Sequence, residues 1–227
     1  MPVAVIPFRP VNPKTRLSGL LSQDEREAFA RAMLADVIGA VRSAGLEPLV
    51  LSTTGYDCPG VGVRVAPCGL SDALNDLLPL LEGPVLVIMA DLPLVTPEAV
   101  RRLTGTRADV AIAPGRGGGT NALYLREPAR FRVDYYQCSV AKHLGIAAEA
   151  GLTTELVDSF RLYLDLDEEE DLVDLLIHGT GQARAYLESL GIGLAVTRGR
   201  VGIGRHAPVR DDLCALRPDG ATGLAGR

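Results

Sequence analysis

The sequence predicts an α/β fold, a three-layer sandwich with a mostly parallel central sheet. Three observations carry it. Val85 to Met89 is an unbroken apolar run, the pattern of a strand buried on both faces of a parallel sheet. Short apolar runs alternate with helical patterns from Val3 to Leu190, as strand–helix–strand units do. Ser22 and Glu25, three apart, form a capping-box signature ahead of a long amphipathic stretch.

The elements follow in order. Val3 to Phe8 is a short apolar run that ends in turn residues and reads as the first strand. After Ser22, the residues Phe29, Met33, Val37 and Val41 recur at helical spacing, and Gly45 stops the helix. Pro48 to Ser52 and Val61 to Val65 read as strands. Ser71 to Leu81 reads as a helix opened by its own serine. The strand from Val85 ends in Ala90-Asp91, and Thr96-Pro97-Glu98 opens the next helix with a cap and a first-turn proline. Asp109 to Ala113 and Asn121 to Arg126 are strands, and Ser139 to Gly151 is a helix. Leu156 to Asp158 and Leu162 to Asp167 hold short strands. Helices follow from about Glu168 to His178 and about Gly181 to Leu190. The segment "GLAVTRGRVGIGR" reads as a hairpin turning at Arg198-Gly199. Residues 1–205 thus form one expected domain. Residues 206–227, rich in Gly, Pro and Arg without a period, form a tail that is either disordered or packed on a partner.

Composition narrows the function. The chain has 227 residues, 47% hydrophobic and 22% charged, enough to bury a sizeable core. A net charge of -5 argues against a nucleic-acid or membrane-surface binder, and 4% aromatics with no Trp offers no stacking platform. No apolar run approaches the roughly 20 residues of a membrane span, and the start has no leader pattern. Cys58, Cys68, Cys138 and Cys214 form no CxxC pair, so reduced thiols and a cytoplasmic location are expected.

Ligands of open α/β sheets bind beyond the carboxyl ends of the strands, and four features lie there. Arg9, Lys14 and Arg16 crowd a Pro-rich loop after the first strand, which reads as a triphosphate clamp or as a solvated loop. The chain has no GxxxxGK[ST] loop. Asp91 ends the most apolar strand and suits a hard cation such as magnesium, or a turn. Asp165 and Asp167 are two apart, on one face if extended, and like charges so placed favour a cation between them. Finally, "APGRGGGTNALYL" holds four glycines in Gly115 to Gly119. Its amides and the Thr120 hydroxyl form either a grip for an acid or phosphate or a plain hairpin turn. Ser139 and His143 share a helical face four apart, yet no nucleophile motif surrounds them. Ser139 as N-cap and substrate-binding hydroxyl is the economical reading. His143 either senses a substrate carboxylate or fills space.

Together "VIPFRPVNPKTRL", "VIMADLPL", "APGRGGGTNAL", "RVDYYQCSVAKH" and "DLDEEEDL" resemble the 2-phospho-L-lactate guanylyltransferases. These serve biosynthesis of the deazaflavin coenzyme F-420, and the style here is archaeal. The resemblance covers about residues 1–205. It implies a nucleotidyltransferase fold of the glycosyltransferase-A or molybdenum-cofactor guanylyltransferase type. It implies GTP and a small phosphorylated acid as substrates, Mg2+ as cofactor, and admits a homodimer. Lys14 and Arg16 match the phosphate-binding KTRL element, and Lys14, Arg16 and Asp91 are the expected catalytic residues. Pro7, Gly69 and Asn75 join Lys14 and Arg16 on the nucleotide side. Gly119, Thr120, Asn121, Ser139 and His143 fall on the acid side. Asp91, Asp165 and Asp167 are the expected metal ligands.

One departure stands out. Bacterial relatives carry "FGPGS" where this chain has "YYQCS", so Tyr136 and Cys138 replace glycines and restrict backbone approach. Phosphoenolpyruvate and 3-phosphoglycerate therefore stay open as acids. A non-catalytic nucleotide-binding protein is the reading from another class. A sugar-phosphate or molybdopterin enzyme usually carries an "RMG" loop after strand one, which is missing here.

Overall fold

The computed structural model describes residues 1–197 and 200–205. The expected tail over 206–227 and the turn at Arg198-Gly199 lie outside the described residues. Seven strands form one sheet: β1 (Val3–Phe8), β2 (Glu47–Ser52), β3 (Gly62–Val65), β4 (Val85–Ile88), β5 (Val110–Pro114), β6 (Thr120–Leu125) and β7 (Thr154–Leu156). Their order across the sheet is β3-β2-β1-β4-β6-β5-β7. β6 runs against both of its neighbours, β4 and β5, and every other pairing is parallel. A separate antiparallel hairpin joins β8 (Ile192–Thr197) to β9 (Arg200–Arg205).

The strands are apolar on both faces because helices cover both. Ala4, Ile6, Leu86, Ile88 and Ala111 point into one core. There they meet α1 (Gln23–Ser43), α3 (Pro97–Thr104), α6 (Asp171–His178) and α7 (Gln182–Ser189). Val5, Val85, Val87, Ile112 and Leu123 point into the other, against α2 (Leu70–Leu77) and α4 (Ser139–Glu149). Adjacent residues of a strand face opposite ways, so one apolar run serves two cores. On α1, Phe29, Met33, Val37 and Val41 are buried at the expected spacing. Burying each contributes about 1.5–3 kcal/mol. Ser22 caps α1: its hydroxyl accepts from the Glu25 amide at 3.3 Å, and the Glu25 carboxylate accepts from the Ser22 amide at 2.8 Å. Thr96 caps α3 by a single bond, its hydroxyl accepting from the Ala99 amide at 3.3 Å, with Pro97 in the first turn.

Several expected boundaries move. The strand expected over Leu162 to Asp167 is absent. Phe160–Tyr163 instead makes one helical turn, α5, and the following residues run extended outside the sheet. The alternation was real: Leu162, Leu164 and Leu166 are buried while Asp165 and Asp167 are half-buried on the other side. One amide of that stretch reaches the loop that follows β4, Leu166 N–H to Asp91 O at 3.1 Å. Ser71 does not cap α2; Gly69 stands at that position, and the Ser71 hydroxyl accepts from the Tyr135 amide at 2.9 Å. Nor does Ser139 cap α4. Cys138 holds the cap position without a side-chain bond, and Ser139 turns inward. The expected helix from Glu168 starts at Asp171, and the expected strand over Leu156 to Asp158 lies at Thr154–Leu156.

Candidate active site

A cavity of about 450 Å³ opens at the carboxyl ends of β1, β2 and β4. Pro7, Phe8, Arg9, Lys14, Ser52, Met89, Asp91 and Asp167 are among its lining residues. The loop after β1 reaches it through a brace made by Arg26, a residue that the sequence reading passed over. Arg26, on the buried face of α1, donates to Pro13 O at 3.2 Å, Leu21 O at 3.0 Å and Asn12 Oδ1 at 2.8 Å. So held, Asn12 and Lys14 adopt left-handed backbone angles, φ 47° and 51°. Non-glycine residues hold such angles only where surrounding contacts enforce them.

Lys14 points between two carboxylates. Its Nζ lies 2.6 Å from Asp91 Oδ2 and 2.7 Å from Asp167 Oδ1. Burial alone pulls the ammonium's pKa down. The charges and hydrogen bonds of Asp91 and Asp167 outweigh that and leave it raised. Asp167 is pushed up by burial but ends below the ordinary carboxylate value through Lys14 and Arg16. Asp165 is raised by burial and by the Asp91 charge. Arg16, largely exposed, reaches Asp167 and Glu168 only at 3.6 and 3.5 Å. It is free to turn toward an incoming anion.

Among the described residues no three acidic, histidine or cysteine side chains close into a metal cage. The Lys14 ammonium stands between Asp91 and Asp167 instead. The donor set nevertheless fits a hard cation. It is all carboxylate oxygen, and Asp91 Oδ1 is buried without any hydrogen-bond partner, an acceptor that a cation would satisfy.

The glycine-rich stretch forms a tight turn between β5 and β6, closed by Gly115 N–H to Gly119 O at 2.7 Å. Gly117 and Gly118 take φ of 74° and 86°. Gly115 has no room for a side chain, since a Cβ there would lie 2.2 Å from Asn121 Oδ1. Thr120 follows, buried, with its Oγ1 3.0 Å from His143 Nδ1 and 3.1 Å from Ser139 Oγ. His143 is buried too, and burial pushes its pKa down to about 4. Its Nε2 accepts the Asp134 backbone N–H at 3.1 Å. A backbone amide can only donate, so the neutral ring carries its proton on Nδ1 and donates it to Thr120. The Thr120–Ser139 pair is left with one hydroxyl proton that neither His143 nor the pair itself uses.

Other expected site residues turn to internal tasks. Asn121 Nδ2 donates to Leu162 O at 3.0 Å, Tyr163 O at 2.9 Å and Asp165 Oδ1 at 3.3 Å. It fixes Asp165. Asn75 does not line the nucleotide cleft. Its amide clasps the Val133 backbone, donating at 3.0 Å and accepting at 2.8 Å, on a different concavity beside Arg130 and Arg132. Gly69 starts α2 between the lining residues Cys68 and Leu70. The Tyr136 phenol crowds it so closely that a Cβ would lie 2.5 Å from the hydroxyl. The Cys138 sulfur would similarly lie 3.1 Å from a Cβ on Gly118. Arg116, inside the turn, pairs with buried Asp171, a residue that drew no notice in the sequence.

Residues 2–205 match the family model described as "Guanylyl transferase CofC like". The chain belongs to the CofC-like guanylyl transferase family. Within that family it is 58% identical over 207 residues to the 2-phospho-L-lactate guanylyltransferase of Methanosphaerula palustris, covering 91% of this chain and 99% of that one. It is 55% identical over 204 residues to that of Methanoregula boonei, covering 90% and 95%. Among solved structures, a putative nucleotide-diphospho-sugar transferase from Desulfovibrio desulfuricans superposes with a TM-score of 0.69 at 16% identity, covering 83% of this chain and 95% of that one. That likeness bears out the expected fold type. No helix among the described residues is long and apolar enough to cross a membrane.

Proposed function

We propose that this protein joins GMP from GTP to 2-phospho-L-lactate, giving lactyl-2-diphospho-5'-guanosine and pyrophosphate in coenzyme F-420 biosynthesis. The observation that carries the reading is the 58% identity over 99% of a relative named for that activity.

The phosphate oxygen of 2-phospholactate attacks the α-phosphorus of GTP in line. The bond from that phosphorus to the β-phosphate bridging oxygen breaks, and pyrophosphate leaves with the electron pair. A phosphate monoester is largely dianionic near neutral pH, with its second pKa at about 6, so the attacking oxygen needs no strong base. Catalysis then rests on positioning and charge neutralisation. Asp91, Asp165 and Asp167 would hold magnesium, which supplies neutralisation of the α-phosphate oxygens. Lys14 and Arg16 offset the charge of the leaving pyrophosphate. The amides of Gly117 to Gly119 and the remaining hydroxyl proton of the Thr120–Ser139 pair bind the acid. His143 does not reach that acid; it orients Thr120. The cleft beside Pro7 and Gly69 takes the nucleotide. The same reading admits a cytoplasmic location and a homodimer that sedimentation would detect.

Purified protein with magnesium, each nucleoside triphosphate in turn, and 2-phospholactate, phosphoenolpyruvate or 3-phosphoglycerate tests the proposal by pyrophosphate release. Turnover of GTP with 2-phospholactate is expected to exceed every other pair. Preference for another acid or base would overturn it.

A further inference from the structure

The glycine-rich turn and the acidic segment are far apart in sequence, yet they share one buried carboxylate. Asp171 is 3% exposed. Its Oδ2 accepts the backbone N–H of Asp167 at 2.9 Å and of Glu168 at 2.8 Å. Its Oδ1 accepts from Arg116 Nη1 at 2.5 Å, across 55 residues of chain. Local turn-making accounts for the two amides. It does not account for a guanidinium brought from the tip of another loop onto a buried oxygen. A second tie runs in parallel, from Asn121 Nδ2 at the start of β6 to the carbonyls of Leu162 and Tyr163 and to Asp165 Oδ1. Arg116 within the turn and Asn121 just after it therefore both fasten the segment bearing Asp165 and Asp167.

We infer that Asp171 is a positioning residue for guanylyl transfer. Through Arg116 it sets the turn that grips the phospho-acid, and through the amides of Asp167 and Glu168 it sets the carboxylates that hold the cation. The attacking phosphate and the neutralising charge are thereby kept at a fixed separation, which in-line transfer requires. The inference rests on the functional reading above for the turn as acid grip and for the carboxylates as cation ligands. It adds that neither is placed independently of the other.

Two variants separate the strands of this inference. Arg116→Met cuts the turn side and leaves the buried Asp171 carboxylate with its two backbone amides alone, so Tm should fall while the fold, read by circular dichroism, is kept. It should raise KM for 2-phospholactate about tenfold, with KM for GTP and Mn2+ affinity of the nucleotide-free protein within about twofold of wild type. Arg116→Lys should recover part of the loss. Asp171→Asn keeps one acceptor oxygen for the two amides but loses the charge that Arg116 pairs with. It should raise the acid KM and weaken Mn2+ binding, read by electron paramagnetic resonance, by about tenfold. The double variant should be no worse than Asp171→Asn alone, because both act through one link. Unchanged acid KM in Arg116→Met, or full Mn2+ affinity in Asp171→Asn, would overturn the inference. Should the wild type turn over none of the acids, the functional reading fails, and the Mn2+ titrations still decide this one.

Discussion

At the scale of single residues, the acid side of the site depends on the direction in which hydrogen bonds run. Asp134 N–H must donate to His143 Nε2, His143 Nδ1–H must then donate to Thr120, and the hydroxyl pair keeps one proton for the proposed acid substrate. Thr120→Val removes the acceptor of His143 and the donor to the acid together. It should raise KM for 2-phospholactate about tenfold or more while KM for GTP stays put. Equal losses for both substrates would refute the division of labour. The same ring sets a pH limit. Burial holds His143 at about 4 in the fold, against about 6.5 for an unfolded histidine. Asp134 opposes that shift and Lys142 adds to it. Because the unfolded chain binds the extra proton first, stability is intact above pH 6.5. It falls as pH drops from there toward 4, by at most about 3 kcal/mol. Thermal melts from pH 7 to pH 4 should show a smaller decline for His143→Gln than for wild type; parallel declines would exclude the ring as the cause.

Elements were legible where the signal was local. Five apolar residues in a row, Val85 to Met89, marked β4, and Ser22 with Glu25 marked the start of α1, because strand burial and helix capping act over a few residues. Ser22→Ala should cost about 1 kcal/mol and lower Tm by a few degrees without changing kcat. A shift in kcat would mean that the cap governs the Lys14 loop as well. The stretch from Leu162 to Asp167 failed for a complementary reason. A chain that packs one side on the core and leaves the other wet alternates as a strand does, whether or not it joins a sheet. Arg26 and Asp171 carried a usable signal: each is a charge on the apolar stripe of its helix, Arg26 in line with Phe29 and Met33, Asp171 in line with Leu175. A charge in that position is buried with partners or the helix does not pack.

The whole molecule supplies what no local pattern states. Lys14 and Asp91 are 77 residues apart, and Lys14 and Asp167 153 apart, so their pairing arises only when β1, β4 and the acidic segment meet at one end of the sheet. Lys14 could be read as a phosphate ligand and Asp91 as a cation ligand from the chain alone. That the ammonium lies against both carboxylates could not. Nor could the sequence reveal that Asn75 belongs to a different concavity, since a helix N-terminal segment near the cleft says nothing about which way its second turn faces. The assembled site makes one claim above the others: Asp91 holds the charge that guanylyl transfer needs. Pyrophosphate release from GTP and 2-phospholactate with magnesium, compared between wild type and Asp91→Asn, tests it most directly. A fall of at least about a hundredfold with Tm essentially kept is the predicted result; turnover at the wild-type rate in Asp91→Asn would contradict the account.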